Sequence, residues 1–264
     1  MDVENSMALP RLLKTPFRTQ PPDTAGEFDQ WLDTEAGNAL LRAEYALLAD
    51  ILPRATGYTA LQCSVGKPRN MLSTCRIRQQ VLMSATYADG ASVQAKPCTF
   101  PLRKQSLDLI VLHHSLDFDD HPHQILRNAV RGLVPGGALV VVGFNPSSVW
   151  GLLRWFRAGS EEMPWRARFL SAQRMGDWLS LLGCEPEGLE SRFHSPPKNI
   201  FGYWLAWLGD RLWSQHGSFY VMVARKRAAM MRPARSRFAL SDRGPNVIPV
   251  PVAHWRGKSQ ETLE

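Results

Sequence analysis

Residues 101–146 read PLRKQSLDLIVLHHSLDFDDHPHQILRNAVRGLVPGGALVVVGFNP. Leu107–Leu112 is an almost unbroken run of β-branched residues and leucine, the pattern of a strand buried on both faces of a parallel sheet. His113 and His114 end it. Pro122–Leu133 then carries Ile125, Leu126, Ala129, Val130 and Leu133 on one stripe, which predicts a helix. Pro135-Gly136-Gly137 predicts a tight turn, because proline cannot continue the helix and glycine accepts positive φ. Ala138–Phe144 is a second buried strand. Strand, helix, turn and strand within forty residues make a βαβ unit.

The flanks extend the alternation. Glu27–Leu52 has helical spacing, with Gly37-Asn38 able to split it and Pro53 to stop it. Gly57–Cys63 predicts a strand, and Ser64-Val65-Gly66-Lys67-Pro68 a turn after it. Gln80–Ala85 and Ala91–Lys96 are further strand candidates. Ser148–Arg157 and Ser171–Leu182 predict helices, the second capped by Ser171 and ended by Gly183. Glu187–His194 is a strand candidate, Asn199–Gln215 an amphipathic helix, and Gly217–Arg225 a last strand. The fold class is therefore α/β: a doubly wound, mostly parallel seven-stranded sheet of Rossmann-like form with an antiparallel last strand. The expected organisation is a flexible arm at 1–25, one domain at 26–226 and a disordered basic tail at 227–264.

The ordered set Pro101, Asp108, His113-His114, Ile125–Leu133, Pro135-Gly136-Gly137 and Ala138–Phe144 resembles the central part of class I S-adenosylmethionine-dependent methyltransferases. It is most similar to the small bacterial enzymes grouped with ubiquinone and menaquinone biosynthesis. The resemblance implies S-adenosyl-L-methionine as cofactor, bound at the carboxyl ends of the strands. It also implies a small, lipophilic acceptor. By the same resemblance the cofactor-binding set is Gln62, Cys63, Ser64, Gly66, Ser84, Cys98, Thr99 and His113. The sequence departs from the family at three cofactor positions. Gln62 stands where an acid is usual, Ser84-Ala85 replaces the acid after the second strand, and Lys96 occupies a third acidic position. These departures leave open a second function, a catalytically inactive methyltransferase-like fold serving as an interaction or regulatory module.

His113 and His114 are the catalytic candidates, since an imidazole at a strand end near a methyl donor can act as a general base; a purely structural role is the competing reading. His113, His114, Asp117, Asp119, Asp120, His121 and His123 place seven potential ligands within eleven residues. The preferred reading is a polar loop whose aspartates cap the helix at Pro122, so no metal is expected. Asn145 and Trp150 are the substrate candidates, with an Asx turn as the alternative for Asn145.

Seven of the nine tryptophans lie between 150 and 213. The Asn199–Gln215 face can pack on the sheet, cover a lipophilic pocket or lie on a membrane surface. The four cysteines form no CxxC pair and no disulfide scaffold. With no apolar run of signal-peptide or membrane-spanning length, a cytoplasmic protein is expected. Lys and Arg number 31 and Asp and Glu 24, giving +7. Nine of those cations and three of those anions lie in 225–264, so 1–224 has 22 against 21. Nucleic acid is accordingly not the expected partner. A weak membrane-surface contact through the Trp-rich helix and basic tail is a further expectation.

Overall fold

The computed structural model describes residues 24–86, 89–99, 103–148, 151, 163–192 and 217–228. The chain divides into two units, 1–228 and 229–264. All described residues belong to the first. The expected arm up to Asp23, the tail beyond Ala228, the Asn199–Gln215 helix, Trp150 and most of Ser148–Arg157 lie outside the described residues.

The first unit is built on a seven-stranded sheet in the order β3-β2-β1-β4-β5-β7-β6. Its strands are β1 (Thr59–Ser64), β2 (Gln79–Ser84), β3 (Val93–Gln94), β4 (Leu107–His113), β5 (Leu133–Phe144), β6 (Cys184–Arg192) and β7 (Phe219–Lys226). β1, β2, β3, β4 and β5 run parallel to one another. β7 is antiparallel to both β5 and β6. The order reverses between β1 and β4, and such a switch point opens a crevice at the strand ends.

Alternation along each strand divides the core. Leu61, Ile110, Leu112, Leu139 and Val141 face α3 (Pro122–Gly132) and α4 (Ala172–Leu181). Ala60, Leu109, Val111, Val140 and Val142 face α1 (Thr24–Leu32) and α2 (Glu35–Ile51). Each such leucine, isoleucine or valine contributes about 1.5–3 kcal/mol on burial.

Several boundaries differ from expectation for local reasons. The α1–α2 break falls at Asp33-Thr34, ahead of Gly37-Asn38, because the Thr34 hydroxyl accepts the Gly37 N–H at 3.2 Å and caps α2. Pro135-Gly136-Gly137 lies inside β5, where Gly136 takes φ 82° and the β4–β5 register shifts. Only a short 3₁₀ turn, Met71–Thr74, joins β1 to β2. Asp108 anchors the opposite end of the sheet, accepting the Tyr58 and Thr59 N–H groups at 2.8 and 3.0 Å. No described helix is long and apolar enough to cross a membrane.

Candidate active site

A cavity of about 360 Å³ opens at the carboxyl ends of β1, β2 and β4. Pockets for small ligands and cofactors span about 300–1,000 Å³. Val65, Ala85, Pro97 and Phe118 give it apolar walls, and Thr86, Lys96, Ser115, Asp119, Asp120 and His121 give it polar ones. The first turn of α1 closes one side with Thr24 and Ala25, so the helix begins within the stretch expected to be a loose arm.

Of the cofactor-binding set expected from sequence, Cys98 lines this cavity. The others stand behind it or beside it. Gln62 is fully buried and its amide is committed internally: it donates to the Ser64 hydroxyl and the Arg69 carbonyl at 2.9 and 2.7 Å, and accepts the Met71 N–H at 2.8 Å. It therefore fastens the β1–β2 connection: both amide hydrogens are used and the oxygen, already accepting a backbone N–H, is buried away from any ligand's ammonium. The Ser84 hydroxyl donates to the Gly66 carbonyl at 2.8 Å. Cys63 is buried, and burial pushes its thiol well above the ordinary range. Gly66 serves a close approach, since a Cβ there would lie 2.1 Å from Asp29 Oδ2. Asp29 uses that proximity to accept the Lys67 N–H at 2.6 Å and the Arg69 guanidinium at 3.0 Å, which docks α1 on the loop. The Thr99 hydroxyl donates to the Lys96 carbonyl at 3.3 Å.

His113 and His114 do not line the cavity; they are 3% and 0% exposed. Both point toward α2, where Glu44 is fully buried. His113 Nε2 meets Glu44 Oε2 at 2.9 Å, and His114 Nε2 meets Oε1 at 2.8 Å. His114 Nδ1 meets Asp117 Oδ2 at 2.8 Å, and that oxygen also accepts the Phe144 N–H at 3.1 Å. His114 reaches this position with φ 52°, in the left-handed region. The rings of Phe28 and Phe144 pack on it at 5.5 and 4.3 Å between centroids. The expectation that either histidine is a general base in the pocket is therefore corrected: their polar atoms face an interior ion-pair network.

Burial pulls the His114 imidazolium down, but the charge of Glu44 and the hydrogen bonds to Asp117 and Glu44 outweigh it and raise the group to about 9. Burial pushes the Glu44 carboxyl up, and the His114 charge with the His113 and His114 hydrogen bonds brings it down to about 2. For His113 burial wins, holding it below its ordinary 6.5, and for Asp117 burial wins upward. A raised folded-state value means that the His114 contribution to stability is complete below pH 6.5 and disappears as pH rises through about 9. Imidazole NMR titrations of the metal-free protein are expected to show His114 keeping both ring protons at neutral pH and losing one near pH 9, and His113 titrating below its ordinary range because of burial. A single shared transition near 6.5 would contradict the network.

Glu44 was missing from the sequence candidates, although a signal existed. It lies four residues from both Leu40 and Leu48, on a buried stripe. A carboxylate on such a stripe requires a partner in the core. The remaining loop residues disperse. Asp119 accepts the His121 N–H at 2.7 Å, Asp120 pairs with Arg168 at 2.8 Å, and His123 lies against Trp178 with the two rings tilted by 46°. No side chain caps α3, so the expected aspartate cap is absent. Asn145 forms the Asx turn, accepting the Ser147 N–H at 3.0 Å, and is outside the cavity wall.

Comparison with known proteins decides what this cleft belongs to. A family pattern described as a methyltransferase domain matches residues 57–141. The uncharacterized protein YafS of Escherichia coli strain K12 is 32% identical over 210 residues, covering 78% of this chain and 84% of that protein. The chain belongs to the class I S-adenosylmethionine-dependent methyltransferases. Solved structures agree in fold. A chain from the complex between the Haloferax volcanii Trm112 methyltransferase activator and a methyltransferase superposes with TM-score 0.57 at 15% identity, covering 77% of this chain and 97% of that one. A SAM-dependent methyltransferase from Archaeoglobus fulgidus gives 0.54 at 14% identity, covering 75% and 99%.

S-adenosyl-L-methionine is the family's cofactor, and the cleft fits it in place, volume and donor chemistry. Lys96 offers a cation for a carboxylate, Asp119 and Asp120 offer acceptors for an ammonium or ribose hydroxyls, and Val65, Ala85, Pro97 and Phe118 offer apolar contact for a base. Lys96, read from sequence as a departure from the usual acid, is thus part of the wall itself.

Proposed function

We propose that this chain transfers a methyl group from S-adenosyl-L-methionine to a small, lipophilic acceptor. The carrying observation is the cavity at the carboxyl ends of β1, β2 and β4, bounded by Ala85, Thr86, Lys96, Ser115 and Phe118. When bound, the cofactor supplies an electrophilic methyl group on a sulfonium. The protein's part is orientation and exclusion of water. Lys96 and Thr86 hold polar groups at the β2–β3 side, and the first turn of α1 covers the opening. Phe118 belongs to an aromatic group with Phe28, 4.5 Å between ring centroids, which supports an apolar acceptor beside it. Among the described residues His121 is the imidazole on the cavity wall and can receive a proton from the acceptor. Asn145 and Trp150 remain the expected acceptor contacts.

Calorimetric titration with S-adenosyl-L-methionine and S-adenosylhomocysteine tests this reading. Micromolar binding is expected, weakened at least about tenfold by Ala85→Trp, which fills the cavity, and by Lys96→Glu. Folded protein that binds neither compound would leave the interaction-module reading in its place.

A further inference from the structure

The interior network beneath the cleft has a second chemical reading. Glu44 projects from α2, and His113 and His114 come from the end of β4 and the turn after it. One ligand-capable atom from each lies within 4.8 Å of the other two. All three residues are buried. Two imidazoles and a carboxylate are a donor set suited to a divalent first-row cation.

We propose that Glu44, His113 and His114 form a structural site for a divalent transition-metal ion, zinc by chemical class, that pins α2 to the carboxyl end of β4. Three observations carry this. Bonds of about 2.0–2.1 Å to a tetrahedral ion set ligand atoms about 3.3 Å apart. The separations between the imidazole nitrogens and the Glu44 oxygens are 2.9 and 2.8 Å, about 0.5 Å inside that spacing, and the widest edge of the cluster lies within 4.8 Å, about 1.5 Å outside it, so side-chain adjustments of that size close the site. Next, His114 presents Nε2 to the site while Nδ1 faces Asp117 at 2.8 Å. A carboxylate on the far nitrogen is the arrangement that fixes a ligating histidine's tautomer and raises its basicity. Finally, the charges close. With both imidazoles neutral, Glu44 and Asp117 together balance a divalent ion. Arg69, whose charge reaches His113, is engaged by Asp29 and Asp33 at 3.0 and 2.7 Å. Glu44 turns one oxygen toward each imidazole, so chelation through both oxygens supplies the fourth donor of a four-coordinate ion in a place closed to solvent, as a structural centre requires. His121 and His123 contribute nothing to it, so the histidine-rich loop is not itself the site.

This inference goes beyond methyl transfer and stands or falls separately from it. The test uses the full chain, unfolded in chelator and refolded with Co²⁺ or Zn²⁺. One equivalent of Co²⁺ with the visible bands of a four-coordinate N/O site is expected, displaced by Zn²⁺ with a rise in Tm. His113→Gln, which leaves the Glu44–His114 pair in place, weakens Co²⁺ binding at least tenfold while circular dichroism shows the fold intact. Glu44→Asp, which keeps the charge but shortens the reach, also weakens it. Folded protein that takes up no stoichiometric Co²⁺ overturns the proposal. So does binding that is unchanged in His113→Gln, since that places the ion on other histidines.

Discussion

Glu44→Gln lowers the unfolding free energy of the metal-free protein by about 3 kcal/mol, within the range for breaking one partner of a buried ion pair. The carboxylate accepts from two imidazoles at once. A glutamine keeps the shape but offers one acceptor and one amide donor, so one imidazole N–H faces another donor. His114 also loses one of the two carboxylates that hold its proton. The surroundings cannot relax by admitting water, because Glu44 and His114 are both completely buried. Urea unfolding at pH 6.5 measures the loss. A change below about 1 kcal/mol would show that the network is not formed as described. Because His113, His114 and Asp117 share the network, double substitutions within it will not add.

Gly37→Ala is the second large effect, a loss of about 2–3 kcal/mol from overpacking. A Cβ at Gly37 would lie 2.3 Å from the Trp31 carbonyl oxygen and 2.5 Å from the Leu32 Cα. Both are backbone atoms at the end of α1, so no rotamer change can make room. The gain in helix propensity from alanine, about 1 kcal/mol, opposes this and is the smaller effect. α1 must swing away from α2. Since Thr24 and Ala25 of α1 line the cleft, cofactor affinity falls together with stability. A Gly37→Ala protein that unfolds at higher urea than the parent would refute the close packing of the two helices.

The sheet was largely legible because its signals are local and redundant. The β4–α3–β5 run shows continuous apolar strands, a helical stripe and a glycine turn in one window, and their order extends to β7. The cofactor residues were less legible. Position along a strand shows which residues reach its end, but not which of them keep a polar group free. Gln62 looks available in sequence, yet the 3₁₀ turn at Met71 and the Arg69 carbonyl saturate it. Lys96, by contrast, looked like a defect and lines the cleft. The strand phase of the histidines carries a directional signal. His113 shares the alternation of Leu109 and Val111, which face α1 and α2. That phase sends its ring to the helix bearing Glu44, away from the ligand side. The partnership with Glu44 spans 69 residues, and no local pattern encodes such a contact.

The central claim is that the cleft between the ends of β1, β2 and β4 holds S-adenosyl-L-methionine. A crystal structure grown with S-adenosylhomocysteine tests it most directly. The expected result is ligand density against Ala85, Thr86, Lys96 and Ser115, under the first turn of α1. Density at another surface, or an unfilled cleft in crystals soaked to saturation, would contradict it.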